Sequence, residues 1–286
     1  MMQRERVTED IFVFTSDLYV QVTASVIVTT DGIVVIDTLL YPEETQQLTH
    51  LIQTRLKQPV RYVINTHHHA DHTTGTSLFG TPTVIAHKQC REYLNTRGRD
   101  SLKRLKDGSP DMKDIQLVLP DIVFDDRMSF HLGGKTFHLE HSPGHSHDSI
   151  TVWIEEDNIL FAADTVMPIP YFVDGNYDDF IASLEKLQDR NFENIIQGHG
   201  EVILRGEANK KIKSDLDYLQ RLRIAVDKAL ASSDDPEKVK KALGSIKVSA
   251  CGKSHILLNG AVETLHYQNV LALGAERSEN FMIPIE

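Results

Sequence analysis

Apolar and polar positions along the chain separate a strand-rich first part from a helix-rich last part. Residues 11–37 hold three β-branched, apolar runs, IFVF, YVQVTASVIVTT and GIVVIDT, with Asp31-Gly32 as a turn between the last two. A helix is predicted over 42–56, where Leu48, Leu51, Ile52 and Leu56 recur at helical spacing behind Pro42. Pro59 then precedes a strand-like run, VRYVINT, followed by a short strand at 83–86 and a helix at 87–96. Strands return at 128–131, 135–141, 150–154 and 158–162, separated by turns at Gly133-Gly134 and Asp157-Asn158. A helix is predicted at 177–189, with Phe180, Ile181, Leu184 and Leu187 on one face, and FENIIQGHG reads as a strand running into a loop.

Beyond residue 206 the period is helical. Leu216, Leu219, Leu222 and 224–229 suggest one long helix, DDPEKVKKAL a second capped by Asp234 or Asp235, and 260–273 a third. Residues 97–115 are polar and charged, with Gly98, Gly108 and Pro110, and predict a mobile or helical excursion: a flap over a site, or a solvated loop. Two mixed sheets packed face to face with helices outside satisfy this order, although periodicity alone does not single that architecture out. The division expected is a core at 1–205 and a helical extension at 206–286 packed on it.

Composition narrows the class. The chain has 286 residues, 41% of them hydrophobic and 25% charged, as in an ordinary globular protein. It has no apolar run long enough for a membrane span and no apolar leader core at its start, so membrane insertion and export are not expected. Cys90 and Cys251 are isolated, which suits reduced, buried thiols in a cytoplasm. A net charge of −11 opposes nonspecific nucleic-acid binding. Of the 14 histidines, those at 67, 68, 69, 72, 145 and 147 cluster.

NTHHHADHTTG at 65–75 is the most informative segment. A loop that begins where a strand ends can aim several side chains at one point. His67, His69, Asp71 and His72 are spaced to converge, with His68 and Ala70 facing elsewhere. Imidazole and carboxylate together suit zinc, iron and similar ions. Packed without a metal, four such side chains would need many hydrogen-bond partners. His145 follows the Pro143-Gly144 turn, with His141 and His147 nearby as outer-sphere or exposed groups. Asp164 ends the apolar run ILFAAD, where a carboxylate is a turn residue, or is capped, paired or bound to a cation. His199 stands between Gly198 and Gly200, which permit close backbone approach.

In order and interval, HHHADH at 67–72, PGH at 143–145, AAD at 162–164 and GHG at 198–200 resemble the metallo-β-lactamase superfamily over roughly residues 10–205. The resemblance implies an αββα sandwich, here with a C-terminal helical extension, and a dinuclear site on one edge. It implies that His67, His69 and His145 hold one metal, that Asp71, His72 and His199 hold the other, and that Asp164 bridges them. It makes Asp37, in VVIDT, a supporting carboxylate. The cofactors implied are two divalent ions, zinc first, with iron or manganese as alternatives.

Charge then suggests the chemistry. Such a site can hold hydroxide at neutral pH, with Asp71 orienting the nucleophile or relaying a proton, and Asp71 and Asp164 are the candidate catalytic residues. The bridging aspartate is similar to that of the glyoxalase II and lactonase types. Met167 stands where quorum-signal lactonases carry tyrosine, and Gly200-Glu201-Val202 replaces the basic glutathione-binding pattern of glyoxalase II. The expectation is a metal-bound hydroxide acting on a small ester, lactone or thioester, with an iron-dependent oxidoreductase or a phosphodiesterase or nuclease as alternatives. Met167, Ile169, Tyr171, Phe172 and Tyr177 are expected to form an apolar wall at the mouth, and Arg97, Arg99, Lys103 or Arg104 to meet a substrate carboxylate if a flap closes. The partner expected is a small molecule, with a homodimer contact as an alternative role for the extension.

Overall fold

The computed structural model describes residues 2–278, so Met1 and residues 279–286 of the expected extension lie outside the described residues. Its first sheet runs in chain order: β1 (Gln3–Arg6), β2 (Ile11–Thr15), β3 (Thr23–Thr29), β4 (Gly32–Ile36), β5 (Val60–Ile64), β6 (Thr83–His87) and β7 (Ile122–Phe124). The first four strands pair antiparallel, and β4 through β7 pair parallel. Parallel neighbours need crossovers. These contain α1 (Pro42–Leu51) between β4 and β5, α2 (Ala70–Thr73) between β5 and β6, and α3 (Lys88–Tyr93) and α4 (Arg99–Gly108) between β6 and β7.

The second sheet comprises β8 (Arg127–Leu132), β9 (Lys135–His141), β10 (Ile150–Ile154), β11 (Ile159–Ala163), β12 (Asn194–Gln197) and β13 (Ile203–Leu204), with β8 and β13 at its edges. Helix α5 (Tyr177–Leu187) links β11 to its parallel neighbour β12. Three helices follow: α6 (Ala208–Leu230), α7 (Pro236–Gly244) and α8 (Val262–Arg277). The Asp235 side chain accepts from Glu237 N and caps α7, which resolves the sequence alternative in its favour.

Side-chain alternation along the strands builds the layers. Val34 and Ile36 of β4 share the central core with Ile159 and Phe161 of β11. Their neighbours Ile33 and Val35 face the other way, into a cluster with Leu48 and Leu51 of α1. Leu160 and Ala162 face outward from the second sheet, into a cluster with Phe180 of α5, Tyr218 and Leu222 of α6 and Val270 of α8. The order is helix, sheet, sheet, helix: the αββα sandwich, with C-terminal helices sharing the core of its outer layer.

The short edge strands β1, β7 and β13 fall outside the strand runs read from the sequence. Residues 99–108 of the expected excursion are helical, and α4 has no buried residue. Cys90 and Cys251 are both buried and unpaired. None of the helices in the described residues is long and apolar enough to cross a membrane.

Candidate metal centre

The two sheets are stitched together at one end. Thr23 N donates to Gly198 O at 2.8 Å, and Ile150 N donates to Thr66 O at 2.9 Å. The segments leaving β4, β5, β9, β11 and β12 meet there, and they carry Asp37, His67 to His72, His145, Asp164 and His199. Close approach at this seam requires glycine: a Cβ on Gly198 would lie 1.7 Å from Asp164 Oδ1. The local backbone is unusual, with φ of +57° at Asp37, +46° at Ala163 and +43° at Val20. Such left-handed conformations cost a non-glycine residue energy and cluster at functional sites.

The seven side chains named from the sequence converge. Ligating atoms of His67, His69 and His145 lie within 4.8 Å of one another, as do those of Asp71, His72 and His199. His69 Nδ1 is 3.0 Å from both His67 Nε2 and His145 Nε2. Asp164 stands between the two groups. Its Oδ2 is 3.2 Å from His145 Nε2 and 3.5 Å from His199 Nε2, and its Oδ1 is 3.3 Å from His72 Nε2. Asp71 Oδ2 is 3.4 Å from His199 Nε2 and 3.7 Å from His72 Nε2.

Each imidazole is turned by an oxygen partner outside the cluster. His145 Nδ1 donates to Tyr171 O at 2.7 Å, and His199 Nδ1 to Val20 O at 2.8 Å. A carbonyl only accepts, so both rings present an unprotonated Nε2 inward when neutral. Asp37 Oδ2 is 2.8 Å from His72 Nδ1 and 2.7 Å from Thr66 Oγ1. Because Thr66 gives its proton to Asp37, its oxygen accepts from His67 Nδ1 at 3.1 Å. His69 is reversed: its Nε2 is 3.1 Å from Asp174 Oδ2, which leaves Nδ1 inward. Orientation by an outer carboxylate or carbonyl is typical of metal-binding histidines.

Electrostatics favour a cation here. Burial pushes His145 down to about 4 and, with His72 and His69 beside it, takes His67 well below its ordinary value. Burial also disfavours a charged His72, but Asp164, Asp71 and Asp37 outweigh it and raise the imidazole well above its usual value. Burial opposes ionisation of Asp164, yet the surrounding imidazoles hold it well below the usual carboxylate range. His72 Nε2 and Asp164 Oδ1 are buried and face each other at 3.3 Å, but neither makes an aligned hydrogen bond among the described residues. Inward imidazole nitrogens together with the two carboxylates of Asp71 and Asp164 are the donor set of a site for divalent cations.

His68 does face away, but into the protein rather than solvent. Its Nδ1 is 2.9 Å from Asp148 Oδ1 and its Nε2 is 3.3 Å from Asp174 Oδ2. Burial works against its cation, and the two aspartates overcome this and push it up to about 9. Asp148 and Asp174 carried no weight in the sequence, where DS and DG are ordinary turn dipeptides. His141 Nε2 meets His147 O at 2.8 Å, and His147 itself is exposed.

The expected apolar wall is corrected. Ile169, Phe172 and Tyr177 are core residues of the outer layer, and Met167 is buried as well. They meet the C-terminal helices, which supply enough apolar surface to cover them. Tyr171 is half-buried, and its hydroxyl donates to Gln268 at 3.0 Å. In the loop after β2, Tyr19 is 36% exposed. Tyr19 lies close enough to Asp71 that this charge, more than burial, pushes its phenol up to about 12. Arg97 is paired with Asp174 at 3.0 Å.

Residues 19–206 match the model of the metallo-β-lactamase superfamily. A β-lactamase-like protein 2 homolog of Caenorhabditis elegans is 24% identical over 235 residues, covering 77% of this chain and 72% of its own. An atrochrysone carboxyl ACP thioesterase of Aspergillus terreus is 28% identical over 204 residues, 70% of this chain, which spans only 56% of that protein. Among solved structures, a metallo-β-lactamase from Pontibacter korlensis superposes with a TM-score of 0.64 at 21% identity, over 77% of this chain and 99% of its own. A sec-alkylsulfatase from a Pseudomonas species superposes with a TM-score of 0.74 at 15% identity, over 97% of this chain and 50% of its own. With the family's model matched across both sheets and its motifs gathered at the seam between them, the chain belongs to the metallo-β-lactamase superfamily and is a metal-dependent hydrolase.

Proposed function

We propose that the chain hydrolyses a small ester, lactone or thioester at a dinuclear centre, with zinc as its metal. His67, His69 and His145 would hold one ion, Asp71, His72 and His199 the other, and Asp164 would contact both. The observation that carries this reading is the set of inward donors, each imidazole fixed by an outer partner, with Asp164 within 3.5 Å of His145 on one side and of His72 and His199 on the other. Divalent ions held there lower the pKa of a water and polarise a carbonyl oxygen.

The protein's own groups do the rest. Asp71, 3.4 Å from His199 Nε2 and 3.7 Å from His72 Nε2, would orient a nucleophilic water and pass its proton onward. Tyr19, exposed in the loop after β2, would offer a hydrogen-bond donor to a substrate oxygen. The thioesterase among the relatives supports an acyl substrate. The buried, unpaired cysteines support a cytoplasmic location.

Elemental analysis followed by a substrate panel tests this. Two metals per chain are expected, with turnover of matched lactones, thioesters or aryl esters. Efficient phosphodiester cleavage with negligible carbonyl turnover would overturn the substrate class, and oxygen consumption by an iron-loaded sample would replace hydrolysis by redox chemistry.

A further inference from the structure

The loop after Asp164 reads Thr-Val-Met-Pro-Ile-Pro-Tyr-Phe from residue 165 to 172. Pro168 and Pro170 have no N–H, so this stretch cannot stabilise itself by a backbone ladder. Its buried backbone groups need partners from elsewhere. One of them, Tyr171 O, is the acceptor that turns His145. The position of that oxygen therefore sets the direction of the His145 Nε2.

The flanking groups of Tyr171 are both held by one side chain of helix α8. Asn269 Nδ2 donates to Pro170 O at 2.6 Å, and Phe172 N donates to Asn269 Oδ1 at 3.3 Å. Only this orientation of the amide satisfies both. Asn269 is fully buried, and its Nδ2 also reaches Tyr218 OH at 3.2 Å. The chain of bonds continues consistently: Tyr218 OH meets His266 Nδ1 at 2.9 Å, and His266 Nε2 meets Ile246 O at 3.0 Å. A neutral His266, protonated on Nε2, accepts from Tyr218, leaving the phenolic oxygen to accept from Asn269. The residue before Asn269, Gln268, takes the Tyr171 hydroxyl. On the other side of the loop, Lys211 of α6 donates to Met167 O and to Asp215.

We infer that Asn269 is a positioning residue for the metal centre: it brackets the peptide on either side of Tyr171 and so fixes the carbonyl that orients His145. The C-terminal helices thereby take part in the centre as well as covering the sheet. This rests on His145 being a ligand.

The test uses the whole 286-residue chain, loaded with zinc. Zinc release to excess EDTA is followed for the parent, Asn269→Ala and Leu273→Ala. The leucine variant removes buried packing from the same helix, in the cluster that holds Ile169 and Phe172, but removes no hydrogen bond to the loop. Loss of an outer partner typically weakens metal binding by about 10–100-fold; Asn269→Ala leaves Tyr171 O present but unheld, so it should release zinc from one site faster by up to about tenfold. Leu273→Ala should release it at the parental rate, and the visible band of cobalt-loaded protein should shift in the asparagine variant alone. Tyr218→Phe, which removes the Asn269 acceptor while preserving the ring, should move release in the same direction by less, and it decides the matter if Asn269→Ala does not fold. Parental release from the asparagine and tyrosine variants, or equal acceleration by Leu273→Ala, overturns the inference. His145→Ala separates the two levels: if it keeps both zinc ions, the ligand reading itself is wrong. If it loses zinc while Asn269→Ala behaves like the parent, only the positioning role falls.

Discussion

Asp37 Oδ2 lies 2.8 Å from His72 Nδ1, although 35 residues separate the two in the chain. The same carboxylate accepts from Thr66 N and Thr66 Oγ1, so one buried group locks His72 directly and His67 through Thr66. Asp37→Ala should lower metal affinity by about 10–100-fold, as loss of an outer carboxylate usually does. Asp37→Asn should lose less, because asparagine tolerates the left-handed backbone at this position and keeps an acceptor for Thr66. Competition against a chromophoric chelator measures both. Equal affinity in parent and alanine variant would show that the carboxylate does not orient His72.

Asp164 and His147 make a contrasting pair. Asp164 is buried between the two histidine groups, whereas His147 is exposed and engaged here through its carbonyl. Asp164→Ala should remove metal and turnover together, and His147→Ala should leave metal content near that of the parent. Elemental analysis of the two purified variants decides it, and the reverse result would move the ligand assignment from Asp164 to His147.

Gly198→Ala should disturb the centre without changing any ligand. Its new Cβ would fall 1.7 Å from Asp164 Oδ1 and 2.7 Å from Ala163 C, so the carboxylate or the strand end must move. Overpacking of this kind costs about 1–3 kcal/mol. Gly108→Ala is the control: nothing lies within 4 Å of its Cβ, and reduced chain entropy should leave stability unchanged or raise it by about 0.4–1 kcal/mol. Urea unfolding of both, together with the metal content of Gly198→Ala, tests the pair. Parental stability and metal content in Gly198→Ala would refute the clash.

A pH effect is expected away from the centre. The rings of His87 and His141 stack at 4.1 Å, and His87 Nε2 meets Asp125 O at 2.6 Å. Burial, then the neighbouring His141, lowers His87 below its ordinary value of 6.5. The unfolded chain therefore binds the proton more readily than the folded one. Stability should fall as pH drops below about 6.5, and this slope should flatten in His87→Gln. Urea midpoints across that range check it, and an unchanged slope in the variant would assign the dependence to other groups.

The principal strands, the long helices and the candidate donors are legible in the chain alone. A histidine-rich loop behind an apolar strand is dense enough in chemistry to stand out, and alternating apolar runs specify two-faced strands whatever their neighbours. The edge strands β1, β7 and β13 escaped because two to four residues carry too little pattern. What orients the donors was settled only by the tertiary structure. Val20 O and Tyr171 O are backbone atoms, and any residue type supplies a carbonyl. Asp174 stands 105 residues from His69, in a turn sequence that many surface loops share. The apolar positions at 169, 172 and 177 read equally well as a pocket wall or as core. The choice between them depended on whether another element covered them, and the C-terminal helices do. Local pattern records which groups a segment carries, while the packing of distant segments decides which way each one points.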